Sequence, residues 1–178
     1  MKAHILLPFL LVGASAVAQA PSLEMILKAK LPALGHRNWI VVADSAYPLQ
    51  TAPGIETITV NMSQLEAVKV VISALAKTKH VRPNIMVDKE LQFVPEADAK
   101  GITAYRRSLD GVLKGKTISR ELHEDIIAKL DEAGKTFKVL LIKTPHIQPY
   151  TSVFFQLECG YWSGDAEARM REAMKNGG

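Results

Sequence analysis

A histidine and a carboxylate bracket one short apolar run in this chain. In the block Leu34-Gly35-His36-Arg37-Asn38-Trp39-Ile40-Val41-Val42-Ala43-Asp44-Ser45-Ala46-Tyr47-Pro48, His36 precedes a β-type stretch and Asp44 follows it, eight positions later. An imidazole titrates near neutrality and can both take and give a proton. A carboxylate accepts hydrogen bonds from hydroxyls or orients such a ring. The layout reads as a small polar site with a proton-transfer residue at the entry of one buried strand and an acid at its exit. Each residue also has a plainer use: His36 suits a loop before a strand, and Asp44 can close the Ser45-to-Tyr47 turn through local hydrogen bonds.

The N-terminus bears on where such a site would work. Met1-Lys2 gives a basic start, Ile5 to Val12 is apolar, and Gly13 to Ala20 is rich in small residues, the three-part layout of a secretory signal peptide. Residues 1–18 are read as that signal, with cleavage after Ala18 preferred over Ala20, which would leave Pro21 first. The apolar stretch is too short to span a bilayer, which needs about 20 residues, and no cysteine lies nearby to carry a lipid. The expectation is an exported protein, periplasmic or secreted, with no stable membrane anchor.

The remainder fits one domain on length. The single cysteine, Cys159, has no internal partner for a disulfide, so burial must hold the core. A formal net charge of +4 is small, and the basic residues alternate with acids rather than forming a stripe, which speaks against a nucleic-acid partner.

The elements that must position the polar residues follow from periodicity. Ser22 is an N-cap for a short helix carrying Leu23, Ile26, Leu27 and Leu31, ended near Pro32 to Gly35. Strands are expected at Trp39 to Ala43 and Ile55 to Val60, separated by a Pro/Gly turn, and Ser63 caps a helix from Gln64 to Ala76. A short strand at Ile85 to Val87 precedes two charged helices, Glu96 to Lys114 and Ser119 to Ala133. Apolar strands at Lys138 to Ile142 and Val153 to Leu157 flank a His/Pro/Tyr loop, and Asp165 to Lys175 is a last amphipathic helix. Alternating strands and helices predict an α/β fold, a single domain whose central sheet is flanked by helices.

The block Leu34 to Pro48 resembles the N-terminal signature of the RbsD/FucU family, the ribose pyranases and fucose mutarotases. That signature carries Gly-His, an apolar strand and Asp-Ala-x-x-Pro at the same offsets. Pro149-Tyr150-Thr151-Ser152-Val153-Phe154 resembles the family's Tyr-x-Asn followed by an apolar strand, and His123-Glu124 resembles the histidine that helps bind the sugar in the ribose enzyme. The resemblance covers about Leu23 to Leu157 and implies a domain over 22–160, with 161–178 as a C-terminal helical extension.

What the resemblance implies is an isomerase, a monosaccharide pyranase or mutarotase that interconverts the cyclic forms of a ribose- or fucose-like sugar without cofactor or metal. It makes His36 the catalytic residue and Asp44, His123, Tyr150, Thr151 and Ser152 the substrate-binding set. It also implies a homo-oligomer, a ring such as a decamer, with each pocket completed by a neighbouring subunit. Plainer uses stand beside these roles: His123 as a solvated residue in the first turn of its helix, and Tyr150 as a packed tyrosine. Trp39, Tyr161 and Trp162 could stack on a sugar face, though packing is their commoner use.

Departures accompany the matches. Ser152 stands where the family has Asn and offers a hydroxyl in place of an amide's donor and acceptor pair. His146, four positions before Tyr150, is a candidate to compensate. The stretch from Lys89 to Thr117 is expanded, and the export signal is unlike the family's usual cytoplasmic setting. The alternative reading is an exported, non-catalytic monosaccharide-binding protein with the same pocket. A metal site built from His36, Asp44, His123 and His146 lacks the short ligand spacing of metal motifs.

Overall fold

The computed structural model describes residues 21–177; the expected signal segment lies outside the described residues. Helix α1 (Leu23–Lys30) begins where the Ser22 hydroxyl accepts from the Met25 N–H, and the 3-10 turn Leu31–Ala33, with Pro32 in it, ends it. The chain then enters β1 (Trp39–Ala43), buried at every position. A strand of that kind needs cover on both faces of its sheet.

After β2 (Ile55–Thr59) comes α2 (Gln64–Ala76), started by a full capping box: Ser63 accepts from the Glu66 N–H while the Glu66 carboxylate accepts from the Ser63 N–H. Gly54, just before β2, has no room for a Cβ, which would overlap the carbonyl oxygens of Phe137 and Gly134. The order continues with β3 (Val81–Asp88), a 3-10 turn (Lys89–Gln92), α3 (Ile102–Val112), β4 (Ile118–Glu121) and α4 (His123–Thr136). It closes with β5 (Val139–Lys143), β6 (Val153–Cys159) and α5 (Gly164–Asn176).

Most elements fall where periodicity put them; the middle of the chain differs. β3 starts at Val81, four residues before the expected strand, because its first half alternates buried and exposed positions instead of running apolar. The first charged helix begins at Ile102 instead of Glu96. Gly101, at φ 87°, has no side chain to cap α3, and Glu96 folds back to do it, accepting from the Gly101 N–H at 2.5 Å and the Thr103 N–H at 2.9 Å. Those backbone donors hold the Glu96 carboxyl down at about 2. Ser119 to Glu121, expected in a helix, belongs to the edge strand β4, and α4 starts only at His123.

Among the described residues the sheet has six strands in the order β2-β5-β1-β6-β3-β4. β1, β2, β3, β4 and β5 run one way and β6 runs against them between β1 and β3. Alternate residues of the strands feed two cores. Ile40, Val42, Leu140, Ile142 and Phe155 meet α1, α2 and α3, while Trp39, Val41, Leu141 and Phe154 meet α4. Each buried aliphatic or aromatic side chain of this kind contributes about 1.5–3 kcal/mol. Helix α5 buries no side chain.

The topology has one consequence for chemistry. The carboxyl ends of β1, β3, β4 and β5 and the start of β6 all lie at one end of the sheet, the place where open α/β sheets present loops to ligands.

Candidate active site

Asp44 leaves β1 at that end. Its Oδ1 accepts from the Ala46 N–H at 2.8 Å, so this oxygen serves the turn. At the same end, across the intervening β6, β3 ends on Asp88, whose side chain is 0% exposed and whose Oδ1 lies 3.1 Å from His123 Nδ1. Burial raises the Asp88 carboxyl to about 6, against the opposing pull of His123, and the charges of Glu90 and Asp44 add to the rise. Its Oδ2 is buried without a partner among the described residues.

His123 is the first residue of α4, and Leu122 before it has no capping side chain. Glu90 fills the gap by accepting the His123 N–H with both carboxylate oxygens, at 3.0 and 3.1 Å. An acid there also suits the positive end of the helix. The Tyr150 ring meets the His123 ring edge-on, centroids 5.7 Å apart at 80°. Tyr150 sits at φ 56°, a left-handed conformation that costs a non-glycine residue about 1–3 kcal/mol and tends to be kept where it serves a site.

A buried polar network braces the loop behind Tyr150. The Thr151 carbonyl accepts from Gln64 Nε2 at 2.5 Å and from the Tyr105 hydroxyl at 3.1 Å, and the Thr151 hydroxyl donates to the Gln148 carbonyl. Gln64 Oε1 in turn accepts from Thr144 Oγ1 at 2.8 Å. Thr151 and Ser152 are buried, so they support the site from beneath, and it is Asp44, His123 and Tyr150 that reach toward its surface. His146 stacks on Tyr105 at 4.7 Å, and burial lowers its pKa despite the Asp44 charge nearby. Its Nε2 is enclosed and unpartnered among the described residues.

His36 is elsewhere. It lies in an exposed turn at the entry of β1, in a groove with Arg82, Glu158, Cys159, Tyr161 and Trp162. The five residues of β1 put about 13 Å of strand between the two ends. One strand therefore does not carry a single site at both ends, and within one chain His36 and Asp44 cannot meet the same small ligand. Arg37 beside it, at φ 73°, is the second non-glycine residue held left-handed, its N–H donating to the Leu157 carbonyl at 2.8 Å. Of the aromatics expected to pack or stack, Trp39 is buried, whereas Tyr161 and Trp162 are exposed.

Asp88, Glu90 and Gln64 were not among the expected site residues. Asp88 carried the same signal as Asp44, an acid closing an apolar run, but Ile85 to Val87 is too short a run to make its exit conspicuous. Glu90 and Gln64 carry none, because their partners are 33 and 87 positions away. Among the described residues no three His, Cys, Asp or Glu side chains converge as a metal shell.

No protein-family model matches the sequence, and no curated protein is significantly similar to it. Solved structures match in fold. RbsD of Bacillus subtilis, solved with D-ribose, superposes with a TM-score of 0.51 over 80% of this chain and 98% of its own, at 20% identity. The fucose mutarotase of Streptococcus pneumoniae, solved with L-fucose, gives 0.49 over 77% and 92% at 19% identity. FucU of Bifidobacterium longum gives 0.47 over 75% and 93% at 12% identity. The chain has the RbsD/FucU-like fold.

Proposed function

We propose that this protein interconverts the cyclic forms of a free monosaccharide, ribose- or fucose-like, by proton transfer without a cofactor. The observation that carries the reading is the contact of the His123 imidazole with the Asp88 carboxylate and the Tyr150 ring at the carboxyl end of the sheet, where Asp44 also leaves β1. Opening a hemiacetal requires that the anomeric hydroxyl lose its proton while the bond from the anomeric carbon to the ring oxygen breaks. The bonding electrons go to the ring oxygen, which takes up a proton, and reclosure on either face reverses the sequence.

His123 is placed to take the anomeric proton, and Asp44 and Tyr150 to hold other hydroxyls. His36, at the far end of β1, is the candidate for the second proton-transfer group, and in that role it would come from a neighbouring copy. The basic, apolar and small-residue order of the N-terminus supports export, so the sugar would be met outside the cytoplasm.

Optical rotation tests the reading. Crystalline single-anomer sugars dissolved with the mature protein should relax to equilibrium faster than in buffer for at least one sugar. Relaxation at the buffer rate for every pentose and 6-deoxyhexose tried would refute it.

A further inference from the structure

We propose that Asp88 is the positioning residue of this site, fixing the His123 ring with its proton on Nδ1 so that Nε2 faces the sugar as a lone pair. The proposal rests on the sugar reading only for what that lone pair meets. Its geometry comes from three elements. β3 delivers Asp88 Oδ1 to 3.1 Å from Nδ1, Glu90 pins the backbone of the same residue through both oxygens, and Tyr150 closes on the imidazole edge-on.

An ionised carboxylate has lone pairs only, so its contact with Nδ1 requires the proton there. A neutral imidazole carries one ring proton, and Nε2 is then the free base. When Nε2 takes a proton from substrate, the carboxylate behind the ring stabilises the imidazolium, as the acid of a Ser-His-Asp triad does.

The unpartnered Oδ2 of Asp88 points the same way. A buried ion pair kept for stability satisfies both oxygens, because a bare one keeps its full desolvation cost. Among the described residues the Asp88 carboxylate instead makes one hydrogen bond, to His123. The other titratable groups around it are Asp44 after β1, Glu90 in the turn after β3 and Tyr47, whose hydroxyl burial pushes up and keeps neutral. With its carboxyl near 6, Asp88 is ionised and able to orient the ring above that pH and loses that ability below it.

The test uses the mature protein labelled with 15N-histidine and resonances assigned by a His123→Gln variant. At pH 8 the wild-type His123 should show a protonated Nδ1 and an unprotonated Nε2. Asp88→Asn should mix or reverse that pattern and lower kcat by about 100-fold with KM within about threefold. A wild-type His123 protonated at Nε2 overturns the proposal, as does an Asp88→Asn protein with unchanged ring pattern and kcat. The wild-type pattern decides the matter even where the variant fails to fold. Absence of turnover with any sugar would sink the sugar reading while the ring pattern still judged Asp88.

Discussion

Asp88 shows how much a single buried group can say about a site. Its folded-state pKa is raised, so folding favours the protonated acid; the stability tied to that proton is complete below about pH 4 and is lost as pH rises through 6. The difference is on the order of 3 kcal/mol. Urea midpoints at pH 4.5 and 7 should therefore separate more in the wild type than in Asp88→Asn, which cannot ionise. Equal separations would show that the carboxyl is not desolvated. At this scale the sequence was legible where a polar residue closes a long apolar run, as Asp44 does, and silent where the polar group is defined by a partner far along the chain. His123 is the intermediate case, since its place in a first helical turn is readable but the Asp88 and Glu90 carboxylates that hold it are not.

The elements divide on the same ground. β1 and α2 fall on their expected residues because one is a continuous apolar run and the other has Ser63 and Glu66 at capping-box spacing. β4, with sequence Ile-Ser-Arg-Glu, lies at the sheet edge with no buried residue, so nothing in its pattern distinguishes it from the start of a charged helix. The loop before α3 resists reading for a different reason, because its cap is Glu96, reaching across from outside the helix.

Gln64 is where element and site meet: a fully buried amide at the start of α2 that ties β5, through Thr144, to the Thr151 carbonyl just before β6. Gln64→Leu should cost about 1–2 kcal/mol, since it removes two buried hydrogen bonds while the Thr151 carbonyl keeps the Tyr105 hydroxyl and the Thr144 hydroxyl keeps the Ala43 carbonyl. It should also raise KM more than it lowers kcat, because Tyr150 loses its support while His123 does not. Chemical denaturation and steady-state kinetics read the two effects, and a variant as stable as wild type would show that the network is not what holds the loop.

For the whole molecule, the pattern of apolar runs sufficed to indicate an α/β sheet with helices on its faces, and the superposition on B. subtilis RbsD bears this out without sequence similarity strong enough for a family model. About a fifth of this chain has no counterpart in that structure. What linear spacing hid is that a strand's two ends are too far apart to share a ligand. The eight-residue interval from His36 to Asp44 looks like one site on paper and is the length of the sheet in space. If both ends act on one sugar, they do so from different copies. Coexpressed His36→Ala and His123→Ala chains, each inactive alone, should then recover activity in mixed oligomers, about a quarter of the wild-type level if the copies assemble at random. Mixtures as inactive as their parents would show that His36 and His123 do not combine in one site across copies.

The measurement that bears most directly on the account is saturation-transfer NMR of anomeric exchange, recorded on free monosaccharides with the wild-type protein and with His123→Ala. The account predicts accelerated exchange for one sugar, lost in a variant that remains folded. Exchange that is undiminished in His123→Ala, or a sugar that binds the wild type without any acceleration, would contradict it.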